Sequence, residues 1–440
     1  MKKFLASSLF RAIWSISLAA LIYFICPPCF SKTTLLILLG IQLLLINASG
    51  IIGKWAWLTH ISRILVGGLF IFSGFIKAND TVGFSYKLEE YFEVFKADTG
   101  LVFFEWFAHI SLPLATLITA SEIILGIFLL VGYKRNLTLW LLFAQIAFFT
   151  FLTFYSACFN KVTHCGCFGD FLKLTPWESF WKDVALMILI TLLFSGKENI
   201  NEISSSPMLM NTIATLGVLL SFWFPIYTYR NLPVFDFRPY AIGMDIKKNM
   251  EFPADYQPAK YETRFLYKNL KSGEVKEFDM NNYPWQDTLN WAHDSTMNIM
   301  VQDAINAPKI TDFNISDLNG NNITDSVLSR KGYSFWIVVY DLAKTEDDES
   351  LHAEMNDFYK LASQENISVL ALTASGPKEI DDYKHKHNAL YDFATVDATV
   401  LKTIIRSNPG LVLLNGSTVV MNWHHNNFPS FSEVKSKYMK

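Results

Sequence analysis

Five cysteines give this 440-residue chain its clearest capacity for chemistry. Cys26 and Cys29 enclose Pro27 and Pro28. The CxxC spacing permits a small disulfide loop, and two prolines forbid continued helix and hold the sulfurs in a turn. Cys158, Cys165 and Cys167 follow much later, the last two within Cys165-Gly166-Cys167-Phe168-Gly169. Gly166 lets the backbone bend as a CxC pair requires. Such thiols can form or shuffle disulfides. The alternatives are one structural bridge with incidental thiols, or cysteines that serve only as small buried hydrophobes. An odd number leaves at least one thiol free within the chain. His164 beside Cys165 and Cys167 offers nitrogen and sulfur ligands, but the spacing departs from the usual zinc pairs, so no metal site is expected.

Long apolar segments must position these cysteines. Hydrophobic residues make up 51% of the chain and charged residues 18%, against roughly 25% charged in a typical soluble protein. The mean hydropathy of +0.24 fits a membrane part joined to a soluble part. With 37 Lys and Arg against 40 Asp and Glu, the net charge is −3, so there is no basic excess for nucleic acid. A spanning helix needs about 20 apolar residues. The sequence predicts seven spans, at roughly 12–29, 34–52, 60–77, 110–132, 137–157, 180–196 and 209–228. The first is read as retained rather than as a signal peptide, because Arg11 breaks the early apolar run and no A-x-A site follows.

Lys2, Lys3, Arg11, Lys54, Arg63, Lys134, Arg135 and Lys197 fall in one set of connections, whereas the segment 78–109 in the other set is acidic. The positive-inside rule then puts the N-terminus in the cytoplasm and everything after Arg230 outside, in the periplasm of a bacterial cell. That topology gathers all five cysteines near the outer face, on an oxidising side that suits disulfide chemistry.

Glu122 lies near the middle of the fourth predicted span. A carboxylate in lipid asks for a partner, and Gln145, Arg63 and Lys77 are the candidates. A functional Glu122 would relay protons released as thiols oxidise, while a structural one would hydrogen-bond neighbouring helices.

The soluble half has two sections. Residues 231–305 read as irregular with a hairpin, Tyr261–Tyr267 against Glu274–Phe278 around Ser272-Gly273. From 306 onward strands alternate with helices: a strand at Phe335–Tyr340, a helix over 346–364, a strand at Ile367–Thr373, helices beginning near Gly376-Pro377 and Thr399, and a closing hairpin through Asn415-Gly416. His385, His387, His424 and His425 are read as surface histidines rather than ligands.

Several of these stretches resemble known families. Arg63–Lys77, containing Ser73-Gly74, with Gly83-Phe84 after it, and Glu122–Gly132 are similar to the opening helices of DoxX-like membrane proteins. Cys165-Gly166-Cys167-Phe168-Gly169-Asp170 resembles the cysteine motif of MauE, the methylamine-utilisation membrane protein. The likeness covers about residues 60–196. It implies a four-helix membrane core and a setting of periplasmic disulfide formation beside a thioredoxin-like partner. Residues 308–440 resemble the thioredoxin fold, with Asn408-Pro409-Gly410 where that fold carries its cis-proline. Its redox CxxC would fall at Asp341–Thr345, yet no cysteine follows Cys167. Such a domain cannot exchange disulfides by its own chemistry and suits binding.

The expected architecture is a polytopic α-helical membrane domain over 1–230, a connecting region over 231–305 and a thioredoxin-like α/β domain over 306–440. The leading expectation is an inner-membrane protein whose outer-face thiols Cys26, Cys29, Cys158, Cys165 and Cys167 work in thiol–disulfide chemistry or protein maturation. No cofactor is evident, and a membrane quinone is the electron acceptor by analogy with other membrane thiol oxidases. Membrane lipid and a periplasmic client protein are the expected partners. The alternative is a non-enzymatic, membrane-anchored scaffold that binds an envelope client through the thiol-less domain.

Overall fold

The computed structural model describes residues 55–439, apart from 160, 163–165, 167, 303, 346 and 347. The first two predicted spans, 12–29 and 34–52, therefore lie outside the described residues. The chain divides into two compact units. The first comprises residues up to Arg238 together with 405–410 and 423–429, and the second holds the remainder.

The first unit is helical: α1 Ala56–Asn79, α2 Thr81–Thr99, α3 Phe103–His109, α4 Ser111–Val131, α5 Arg135–Phe159, α6 Pro176–Ser195 and α7 Pro207–Arg230. Among the described residues α1, α4, α5 and α7 are long and apolar enough to cross a membrane. This is a membrane protein. Its outward faces agree, since Ile64, Leu219, Leu220 and Trp223 are exposed large hydrophobics that lipid accommodates and water does not. Helix α6 has the length to span but carries Glu178, Lys182 and Asp183. Thr175 and Glu178 close a capping box at its start, with Pro176 at the first helical position.

The segment 78–109 is read from sequence as a loop, but it folds as α2 and α3. Of its acidic residues Glu93 is exposed and Glu89 and Glu90 are partly exposed, while Phe84, Leu88, Tyr91, Phe92 and Phe95 form a buried stripe. That spacing is helical, and the charges drew attention away from it.

Helix α4 is central, packed by α1, α2, α5 and α7. Its approach to α1 is set by glycine. A Cβ at Gly126 would lie 2.8 Å from the Gly67 carbonyl oxygen and 3.0 Å from the Ile71 backbone nitrogen. A Cβ at Gly74 would lie 2.9 Å from the Glu122 Cβ. Backbone and side-chain atoms of the facing helix both crowd these positions, the small-residue helix packing that membranes favour.

The second unit is a mixed sheet domain. Strands β1 Lys260–Asn269, β2 Val275–Asp279 and β3 Trp291–Gln302 form an antiparallel sheet ordered β2-β1-β3. The hairpin read from sequence corresponds to β1 and β2, with Phe265 opposite Phe278. The third strand escaped a pattern broken by Asp294, Ser295 and Asn298.

A five-stranded sheet follows, ordered β6-β5-β4-β7-β8, from β4 Tyr333–Val339, β5 Ser368–Thr373, β6 Asp392–Thr395, β7 Gly410–Asn415 and β8 Thr418–His424. Strands β4, β5 and β6 are parallel. The residues Phe335–Val339 are all buried, as a central parallel strand demands. Helices α10 Glu349–Gln364, α11 Pro377–His387, α12 Ala398–Ile404 and α13 Phe431–Tyr438 accompany this sheet, while α8 Ile246–Met250 and α9 Thr324–Leu328 precede it. Helix α10 buries Leu351, Met355, Phe358 and Ala362 at helical spacing. The peptide bond Asn408–Pro409, just before β7, is cis.

Replacing Gly126 by Ala or Val is expected to cost about 1–3 kcal/mol, because backbone cannot yield to the added carbon. Gly68→Ala, whose Cβ meets nothing within 4 Å, serves as the near-neutral control. Thermal unfolding in detergent measures both.

Candidate functional site

Of the candidate thiols, Cys26, Cys29, Cys165 and Cys167 lie outside the described residues, and Cys158 lies in the last turn of α5. Cys158 is disulfide-bonded. The turn that carries Cys158 is fixed against α2. The Tyr91 and Ser156 hydroxyls pair at 2.7 Å in the interior, Tyr155 donates to Asp98, and Lys161 reaches the same carboxylate at 2.9 Å.

Gly166 has φ +67°, and an added Cβ would sit 3.1 Å from the Lys87 Cγ. Both the left-handed backbone and the lysine stem call for glycine between the two CxC cysteines. Phe168, next in sequence after Cys167, is buried. Its ring tilts against Phe72 at 5.8 Å and lies beneath the Lys182 ammonium at 5.4 Å.

Asp170 ends the same motif and faces a buried cation. Arg406, 7% exposed, donates to Asp80 from Nε at 2.9 Å and Nη2 at 2.8 Å, and its Nη2 lies 3.6 Å from Asp170. The guanidinium also stands 5.8 Å over the Tyr86 ring. Burial alone would raise the Asp80 pKa, but Arg406, then Arg238 and the Gly83 N–H, hold the carboxyl below its usual range. Burial opposes the charged guanidinium in turn, and the Asp80 and Asp170 carboxylates outweigh it, so Arg406 is held above its usual value. None of these partners is adjacent in sequence, and no local pattern announces them.

Glu122 is 2% exposed and its partner is Lys77, whose Nζ donates to the two carboxylate oxygens at 2.6 and 2.9 Å. Lys77 also donates to Ser73 Oγ at 2.7 Å and faces the Phe149 ring at 4.7 Å. The other two partners considered are engaged elsewhere. Gln145 donates to Ser121 Oγ at 3.0 Å and the Ile118 carbonyl at 3.3 Å. Arg63 donates to the carbonyls of Leu129, Leu130 and Asn201, capping the carboxyl end of α4 where a cation is favoured.

A second ion pair, joining a buried Asp183 to a partly exposed Lys182, was not singled out from the sequence. Lys182 Nζ lies 2.7 Å from Asp183 Oδ1, out of line for a hydrogen bond, and Thr153 Oγ1 donates to Asp183 Oδ2 at 3.1 Å. Asp183 is 1% exposed. The signal was present as two charges inside a predicted span.

The four histidines divide. His385 is exposed and near Asp381, and the His387 ring tilts against His352 at 3.7 Å. The His424 and His425 rings tilt against each other at 4.1 Å. His424 is buried rather than at the surface. Among the described residues no group of three His, Cys, Asp or Glu is placed to hold a metal ion.

Residues 55–196 match the family described as Methylamine utilisation protein MauE, and residues 261–302 match a domain of unknown function, DUF8463. A curated relative, Protein TlpB of Flavobacterium psychrophilum, is 25% identical over 169 residues, which are 37% of this chain and 44% of that protein. The chain thus matches less than half the length of that relative. No solved structure matches.

Two outcomes follow. Glu122→Ala leaves Lys77 as an unpaired buried charge and should cost about 3–5 kcal/mol. Replacing both by Leu and Met should cost far less than the two single changes together, a gap that a double-mutant cycle on thermal unfolding reads directly.

Burial, and next the charge of His425, push the His424 imidazole down to about 3, against an opposing hydrogen bond with the Tyr229 backbone. Above the unfolded value of ~6.5 neither state holds the proton and stability is intact. As pH falls below that value the unfolded chain binds a proton that the folded chain refuses, so stability drops progressively towards pH 3. Melting temperatures across this range should fall less steeply for His424→Gln than for the wild type.

Proposed function

We propose that this membrane protein carries out thiol–disulfide chemistry at the outer face of a bacterial inner membrane, in the maturation of envelope proteins. The observation that carries the reading is the disulfide-bonded Cys158, held at the end of α5 just before the Cys165-Gly166-Cys167 motif of a MauE-like region. Cys26 with Cys29 forms one exchanging pair, and two of Cys158, Cys165 and Cys167 form another.

In each turnover two S–H bonds are lost and one S–S bond forms. A membrane quinone, by analogy with other membrane thiol oxidases, would take up the two electrons and two protons. The substrate is a dithiol in a periplasmic client. The N-terminus is cytoplasmic and the mixed sheet domain periplasmic.

The strand order β6-β5-β4-β7-β8, with parallel β4, β5 and β6 and a closing hairpin, supports a thioredoxin-like fold for that domain. It has no cysteine of its own, so its part is to hold the client while the membrane thiols react. That missing CxxC also favours a second reading, a scaffold in which the cysteines are structural and the domain binds a stable partner.

Alkylation of native membranes, before and after reduction and with single Cys→Ser variants, separates the two. A working relay shows a mixture of oxidised and reduced thiols that shifts when quinone supply is withdrawn. It also traps mixed disulfides with a client in one of the single variants. Bridges that stay oxidised under every quinone supply, with a partner retained after thiol blocking, would overturn the redox reading in favour of the scaffold.

A further inference from the structure

Helix α3 has the composition of a core element and none of the burial. Phe103, Phe104, Trp106, Phe107 and Ala108 make up most of it, yet no residue of the helix is buried. At ~100° per residue its side chains fall into three sectors. Phe104, Phe107 and Ala108 pack against the buried stripe of α2, with Phe104 meeting Phe95 at 5.4 Å and Phe107 meeting Phe92 at 5.4 Å. Glu105 and His109 form an exposed polar sector, and Lys96 reaches Glu105 at 2.8 Å. Phe103 and Trp106 form the third sector, apolar and exposed. The turn just before the helix adds Leu101 and the 70% exposed Val102.

One side against protein, one in water and one bare and apolar is the arrangement of an element lying in a membrane interface. Two observations favour lipid over a protein partner as the cover of the third side. The first is continuity with a spanning helix. Phe103 stacks on Phe104 at 4.2 Å, Phe104 meets Phe95, and Phe95 meets Phe151 of α5 at 6.1 Å. Phe151 is itself exposed on a helix apolar enough to cross a membrane. The second is depth. Helices α5 and α6 run antiparallel, with Trp140 meeting Phe194 towards one end and Phe154 meeting Phe180 towards the other. Exposed Trp140 marks the first end and exposed Trp177 and Trp181 the second, as tryptophans do at the two faces of a bilayer. Phe95, which carries α3, touches Tyr155 at 4.9 Å, so α3 stands at the level of Trp177 and Trp181.

We propose that α3 and the turn before it form an interfacial anchor that binds phospholipid. Phe103, Trp106, Leu101 and Val102 sit among the upper acyl segments, while Glu105, His109 and Lys96 stay in the water of the headgroup layer. The segment 78–109 is then no free connection between spans: α2 packs its stripe inwards and α3 fixes its far end in lipid. That far end carries Asp98, which receives Tyr155 and Lys161 from either side of Cys158. An anchored α3 therefore sets the depth of the last turn of α5 at the headgroup layer. This anchor stands whether or not the cysteines exchange.

The test uses fluorine NMR on full-length protein labelled with fluorotryptophan and held in phosphatidylcholine nanodiscs. The Trp106 resonance is identified by its loss in Trp106→Phe, a conservative change at an exposed position, and that of Trp223 on the span α7 by its loss in Trp223→Phe. Lipids bearing a nitroxide near the headgroup, lipids bearing it near the chain end, and a water-soluble gadolinium chelate are added in separate samples. The lipid nitroxides should broaden Trp106 as they broaden the span reference. The label near the headgroup should act at least about twofold more strongly on Trp106 than the label near the chain end, the signature of interfacial depth. A Trp106 resonance broadened by the chelate and by neither lipid label would overturn the anchor and leave α3 in water. One shielded from all three reagents would overturn it in favour of a second copy or another protein covering the same face.

Discussion

The membrane unit depends on burying an ion pair among apolar helices. Lys77 and Glu122 meet at 2.6 Å with almost no exposure to the outside. Desolvating two charges is costly, and their attraction offsets it only when the geometry is close and the remaining donors are used. Here Ser73 and the Phe149 ring occupy the rest of the ammonium. The glycines at 67, 74 and 126 bring α1 and α4 near enough for this to happen. Widen that spacing and the pair separates, leaving two charges to be desolvated without each other.

Arg406 applies the same physics at the edge of the unit. Its hydrogen bonds join it to Asp80 across 326 residues of sequence. Asp80 sits between α1 and α2, and Asp170 closes the cysteine motif, so one guanidinium ties the end of the first described span to the loop that follows the thiols. Arginine suits the task because it stays charged and offers a fork of donors to two carboxylates at once.

Local patterns were legible in the sequence where neighbours decide the outcome. The Asn415-Gly416 turn pointed to β7 and β8, and the apolar run at Phe335–Tyr340 pointed to β4, which spans Tyr333–Val339. Helix α2 was missed because glutamates on its outer face masked the phenylalanine stripe on its inner one. The four residues of β6 are too few to show a period. Glu122 announced itself as a carboxylate in an apolar run, and Lys77 was one of three partners that its position allowed. Which of the three it would choose depended on the helix spacing, which no single segment encodes. Arg406 is beyond any local reading, since its anions come from two other places in the chain.

The order of the two helices along the chain bears on how the protein enters the bilayer. Lys77 lies near the end of α1 and can reach the interface with its long stem while it waits. Glu122 lies midway along α4 and has no such route, and a lone charge at that depth costs on the order of 3 kcal/mol in lipid. Because α1 is made first, the cation is already in place when the acidic helix leaves the ribosome. Synthesis thus delivers the solvent for Glu122 ahead of Glu122 itself, and reversing the two helices would leave the carboxylate stranded.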